Sequence, residues 1–235
     1  HQIIRMHESG CVDVQSHSMH HPAIFVSDEL TGVCESSKPA VPSWNFPVQE
    51  FSGVSGPAVN PLGIWPVFPI ASRFGDRKRF IPDPGLIRWF EETGLLPGSR
   101  RNFRRLSARY RTWTAAHSPG RFETDREQEA AIRDELIRSR EVIERRLSGK
   151  RVRHFAYPWF EWGRLSEKML GETGYRSSAI GLSAQRPCNQ AGMSPCLFTR
   201  VSGDFIRTLP GRGRRAYGEI IVRKAARRLV WGRTA

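Results

Sequence analysis

Cysteine is scarce in this chain of 235 residues: only Cys11, Cys34, Cys188 and Cys196 are present, and their separations fit neither a C-x-x-C metal pattern nor a dense disulfide framework. They leave the redox compartment open. Long apolar runs are absent too, since no stretch approaches the roughly 18 to 20 residues that span a bilayer, which predicts a soluble or peripheral protein. Acidic residues are in short supply, 23 against 37 basic ones for a formal charge of +14. That balance favours acidic partners, whether nucleic acid, anionic lipid or an acidic glycan. No zinc-finger, helix-turn-helix or RNA-recognition signature singles out nucleic acid. The chain opens on His1 without a signal-peptide pattern, so its localisation stays open between cell envelope and cytoplasm.

What is present suffices for one domain with a buried core: 39% hydrophobic residues and 10% aromatics exclude a wholly disordered chain. Residues 3–8 read as the tail of a helix, Gly10 stops it, and residues 11–16 alternate as a short strand does. A helix, a glycine and a strand are the rhythm of α/β folds. That start predicts an earlier strand upstream of His1. Residues 127–147 give the clearest helix, with Ile132, Leu136, Ile143 and Leu147 near one face. A strand over 152–157, a helix over 165–172 ended by Gly174 and a strand over 175–180 continue the series and imply parallel pairing.

Between residues 22 and 119 the pattern loosens. Prolines recur from Pro39 to Pro97, and the aromatics Trp44, Phe46, Phe51, Trp65, Phe68, Phe74, Phe80, Trp89 and Phe90 call for packing against something. So long a connection reads as an inserted irregular lobe with one helix near residues 85–93, set over the strand C-termini. Residues 216–235 hold a basic C-terminal helix. Ile220, Ile221, Ala225 and Leu229 partly align on it against Arg223, Lys224, Arg227 and Arg228. It docks with its basic face solvated, or it lies on an anionic surface.

The chemistry concentrates in His17, Ser18, Met19, His20 and His21, directly after the strand over 11–16. A histidine at a strand's C-terminal end and another four residues later can converge on one ion. A histidine-rich loop without metal is the competing account. Ser18 is placed to bond the turn's backbone, and His20, one residue short of His21, points elsewhere. Asp13 lies roughly 13 Å back along the strand, too far to be a third ligand, and nothing around Asp28 recommends it.

The stretch GCVDVQSHSMHH over 10–21 resembles the second motif of the polysaccharide deacetylases, the carbohydrate esterases with a NodB-homology domain, where a strand ends in Ser-His-Thr/Ser-x-x-His. VRHFAYPW over 152–159 resembles the strand of that family's third motif, and the helix with Gly174 and Tyr175 resembles its continuation. The similar stretches cover less than half of the chain. The resemblance implies a distorted (β/α) barrel, incomplete at its N-terminus, that removes N-acetyl groups from a glycan with a divalent metal, zinc or similar. It places the metal on His17 and His21 and the oxyanion donor on the Trp159 backbone amide, with Pro158 and Tyr157 shaping the groove.

Departures from that pattern are definite. No aspartate pair equivalent to the family's first motif, which supplies the base and third metal ligand, is present, so this chain alone is expected to show little turnover. Ala156 and Phe160 stand where the family has arginine and glycine, and no Leu-x-His follows Ile180. His117 and His154 lack the surroundings of a general acid. The reading from another class is a non-catalytic carbohydrate-binding or scaffold protein of the same fold. Trp44, Trp65, Trp159 and Trp162 are candidates for sugar stacking, with core packing the competing role. Arg200 and Asp204 read as a charge pair, lining the same face or merely on the surface.

Overall fold

The computed structural model describes residues 2–35, 64–93, 100–181, 189–200, 208 and 214–231. Trp44, Phe46, Phe51, Asp204 and the turn at residues 209–211 lie outside them. The chain is a mixed α/β protein built around an open parallel sheet. Its elements begin with helix α1 (Gln2–Glu8), after which Gly10 takes a left-handed φ of 70° and turns the chain.

The central sheet has three strands in sequence order, β7 (His154–Ala156), β8 (Ser177–Ile180) and β9 (Phe198–Thr199), all parallel. Ser16 joins β7 through a single parallel bridge to Phe155. The three stretches expected in one sheet therefore share it, but the first shrinks from residues 11–16 to one bridging residue. Side chains explain why. The Gln15 carboxamide oxygen accepts from the Arg153 and His154 amides at 3.0 and 2.9 Å, and the Asp13 carboxylate takes up Lys150, so side chains replace the ladder. Among the described residues the sheet stays open; the closed outline that the resemblance implied is not reached.

Helix α4 (Asp125–Arg146) covers this sheet. Thr124 and Glu127 form a reciprocal capping box at its start, Asp125 and Glu127 sit in the first turn, and Arg145 and Arg146 in the last, as the helix dipole favours. Ile132 and Leu136 pack with Phe155, Tyr157, Tyr175, Ile180 and Leu197 in one core. Helix α5 (Arg164–Glu172) adds Met169 and Leu170.

Residues 22–119 hold more order than their loose periodicity suggested. Among the described residues three short antiparallel pairs occur: β1 (Ala23–Phe25) with β4 (Ile70–Ser72), β2 (Gly32–Glu35) with β3 (Ile64–Val67), and β5 (Phe80–Pro82) with β6 (Gly120–Phe122). Helices α2 (Pro84–Thr93) and α3 (Arg100–Thr114) complete it. The first was expected, the second not. Its signal was present in Phe103, Leu106, Tyr110 and Trp113, which fall on one helical face and pack on a second core with Phe25, Phe68, Phe80, Leu86 and Phe90. The density of arginine masked that periodicity.

Residues 72–76 fasten this region to the central core. Phe74 is fully buried against Phe155 and Tyr157, with ring centroids 5.1 and 6.0 Å away. Asp76 accepts from the Arg164 and Leu165 amides at the start of α5. Gly163 makes that approach possible, because a Cβ there would lie 2.1 Å from the Asp76 carboxylate. Arg73 and Glu123 form a buried ion pair at 2.5 Å, and Glu123 also accepts from the Arg79 amide.

Removing one partner of that pair strands a buried charge. Glu123→Ala is expected to lower the unfolding free energy by about 3–5 kcal/mol, measured by urea titration. Lys78→Ala, which breaks an exposed pair with Asp125, should cost less than about 1 kcal/mol. Equal effects would remove the buried pair from its anchoring role.

Candidate functional site

The site forms where the parallel strands end. After the bridge at Ser16 the chain bends through residues 17–21, and after β7 it bends through the 3-10 turn Pro158–Phe160. Gly181 leaves β8 so close to this turn that a Cβ would meet the Phe160 Cβ at 2.4 Å. Arg200 leaves β9 at the same end, its backbone amide donating to the Ile180 carbonyl.

Backbone strain marks the place. Among the described residues the non-glycine positions with positive φ are Ser18 (70°), His21 (54°), Trp159 (59°) and Phe160 (62°), all in these two bends. Such conformations cost about 1–3 kcal/mol each and persist only where surrounding contacts fix them. Those contacts are visible. The Ser18 hydroxyl accepts from the His21 amide at 2.9 Å, as its position foretold. The Glu135 carboxylate, buried on α4, accepts from the Met19 and His20 amides at 2.9 and 3.1 Å and pairs with His20 Nδ1 at 2.6 Å. His20 is thus turned away from His17 and His21, as expected.

His17 and His21 do come together, with ring centroids 4.9 Å apart, and His21 lies edge-on to Trp159 at 4.7 Å. His17 Nδ1 is 2.6 Å from the Ala156 carbonyl, which only accepts, so Nδ1 carries the proton and Nε2 the lone pair. Burial pushes the pKa of both imidazoles down, helped by the nearby positive Arg200. Both rings are neutral at neutral pH.

The expected divalent metal, zinc or similar, is corrected. Among the described residues no group of three or more His, Cys, Asp and Glu side chains is placed to hold an ion. Two imidazoles fall short of the three protein ligands that a catalytic ion normally takes. The carboxylates at this end of the structure are engaged elsewhere: Glu135 holds the loop backbone and His20, and Glu161, just after the turn, accepts from the Ser72 amide. Asp13 lies toward the other end of the strands, bound to Lys150 and Gln15, with Lys150 holding its pKa down. Asp28 lies at the second core, where its backbone carbonyl accepts from the Tyr110 hydroxyl.

The remaining candidates divide. Tyr157 has its ring buried in the core, its hydroxyl pKa raised by that burial, and presents only its carbonyl to the site. Pro158 is buried and opens the turn that carries Trp159. Trp162 packs partly on the central core, His154 bonds Ser177, and His117 stacks on Trp113. Trp65 is on β3. Of the two placements considered for Arg200, on the same face or merely on the surface, its contacts fit the first, while Asp204 lies outside the described residues. The Arg200 guanidinium donates to the Tyr157 carbonyl at 2.8 Å and lies 4.4 Å over the Phe160 ring. Glu135 was missed entirely, since its position in a charged helix gives no sign of the loop it grips.

No family model and no curated protein matches the chain. Two solved structures are similar to it. The deacetylase domain of BpsB from Bordetella bronchiseptica shares 15% identity with a TM-score of 0.44, covering 85% of this chain and 46% of that one. A de-N-acetylase from Aggregatibacter actinomycetemcomitans shares 14% identity with a TM-score of 0.40, again covering 85% of this chain and 46% of that one. The chain therefore spans about half the length of these two structures.

Two outcomes follow from this geometry. Above about pH 6.5, the ordinary imidazole value, His17 and His21 are neutral whether folded or not. Below it the unfolded rings bind protons that the folded ones resist, so stability should fall as pH drops toward the depressed folded values. Melting temperatures at about pH 7.5 and about pH 5 should differ less in the His17→Gln, His21→Gln variant than in the parent; equal differences would contradict the burial effect. Separately, Glu135→Gln should weaken the loop's hold by about 1.5–3 kcal/mol. Hydrogen exchange would read this as lost protection at Met19 and His20, with Leu136 unchanged.

Proposed function

We propose that His17, His21, Trp159 and Arg200 belong to a hydrolytic site that removes N-acetyl groups from a glycan. The observation that carries this reading is the gathering of strained, non-glycine backbone around two neutral imidazoles at the C-terminal ends of parallel strands. Strain of this kind is retained where a precise side-chain arrangement is needed. That end of a parallel sheet is where α/β proteins place their chemistry.

His17 Nε2 would take a proton from water as the water oxygen bonds to the acetamide carbonyl carbon. The Trp159 backbone amide would donate to the oxyanion that forms. On collapse the C–N bond breaks, acetate leaves, and the sugar nitrogen receives the proton from His17. His21, edge-on to both His17 and Trp159, would fix the imidazole, and Arg200 would hold the Tyr157 carbonyl and Phe160 so that the turn stays in place. The half-exposed Phe160 ring offers an apolar face to a sugar.

A non-catalytic glycan-binding site is the second reading. It is favoured by the engagement of Glu135 with His20 and the loop amides, and by the lack, among the described residues, of any group of three or more His, Cys, Asp and Glu side chains that would add a carboxylate to the imidazoles. Acetate release from N-acetylated oligosaccharides separates the two. The hydrolytic reading expects release that His17→Gln reduces about 100- to 10,000-fold. Saturable binding without release would establish the second reading. Neither binding nor release would overturn both.

A further inference from the structure

Helix α3 breaks the electrostatic rules that α4 obeys. It holds six arginines and no acidic residue in 15 positions, and it opens on Arg100 and Arg101, against the sign that a helix N-terminus favours. Arg104, Arg105, Arg109 and Arg111 are exposed. Among the described residues none of the four has an ion-pair partner. Arg105 and Arg109 are moreover like charges at i,i+4, which destabilises a helix. Some exposed arginines elsewhere are compensated: Arg121 pairs with Glu127, Arg133 with Glu172, Arg138 with Asp134 and Arg223 with Glu219.

The exposed face between these arginines carries only the small Ala108 and Thr112, with no large apolar side chain to enter a lipid layer. At its edge stands an aromatic row. Trp89 and Trp113 lie 5.7 Å apart, and His117 stacks on Trp113 at 4.6 Å with an interplanar angle of 13°. Trp89 follows the exposed Arg88 on α2, and Trp113 follows Arg109 by one helical turn.

We propose that the arginine face of α3, with the Trp89–Trp113–His117 row beside it, is a docking surface for an acidic polysaccharide. Guanidinium groups pair with its carboxylate or sulfate groups, and the helix, roughly 22 Å long, presents them in a line along which a chain can lie. The outer aromatic edge offers a face to the sugars. The preference for a glycan over nucleic acid rests on the function proposed above; the existence of an anion-binding face does not.

The test uses the whole chain, polygalacturonate as a carboxylated probe, heparin as a sulfated one, dextran as a neutral control and a single-stranded DNA oligomer. The parent should bind the acidic glycans and not dextran, more weakly as salt rises. Arg104→Gln, Arg105→Gln and Arg109→Gln together should weaken this by about ten-fold or more. Arg126→Gln, Arg145→Gln and Arg146→Gln on α4 remove the same charge from exposed positions and should change it little. Circular dichroism confirms that both variants are folded. Equal losses in the two variants would show net charge alone at work and overturn the proposal, as would tighter binding of DNA than of either glycan. Binding of a neutral N-acetylated oligosaccharide should survive the α3 substitutions. If that binding is absent from the parent while acidic-glycan binding persists, the hydrolytic reading fails and the α3 surface stands.

Discussion

The arrangement at the strand ends depends on one buried carboxylate. Glu135 projects from α4 and accepts three hydrogen bonds from the neighbouring loop, two from backbone amides and one through His20. A carboxylate removed from water needs such donors, and the loop needs an acceptor for amides that no strand partner satisfies. Each requirement answers the other. The same grip carries His20 away from His17 and His21, and Ser18 and His21 are held in conformations that side chains otherwise avoid.

Around this point the structure uses side chains where backbone pairing stops. Gln15 takes the amides of Arg153 and His154, Asp76 caps α5, and Arg200 ties the Tyr157 carbonyl to the end of β9. The result is a short parallel sheet held by polar side chains at both ends, Gln15 at the start of β7 and Arg200 beyond its C-terminal end. Phe74 and the Arg73–Glu123 pair extend this to residues 22–119, which have their own aromatic core yet insert one ring into the central one.

Much of the framework was legible residue by residue. Ile132 and Leu136 announced α4, Gly10 and Gly174 marked chain reversals, and the pairing of residues near 16, 155 and 178 followed from the helix–strand alternation. Helix α3 was legible in principle through Phe103, Leu106, Tyr110 and Trp113, but its arginines drew attention to charge instead. The convergence of His17 and His21 was also foreseen from their spacing. The metal expected between them was not supported, because ligation depends on a third group, and the nearby Glu135 is consumed by a contact with His20, 115 positions away in the chain.

The sequence by itself determined α4, α5 and the strands β7 and β8, because apolar periodicity and turn residues act over a few positions. It also determined that two imidazoles share one side of a tight bend. Tertiary structure alone decided what surrounds them. Arg200 reaches the site because β9 lies beside β8, Trp159 faces His21 because the turn after β7 adopts a left-handed backbone, and Glu135 serves the loop because α4 packs over it. Such partnerships depend on which surfaces are buried together, a property of the whole packed chain that no local pattern encodes.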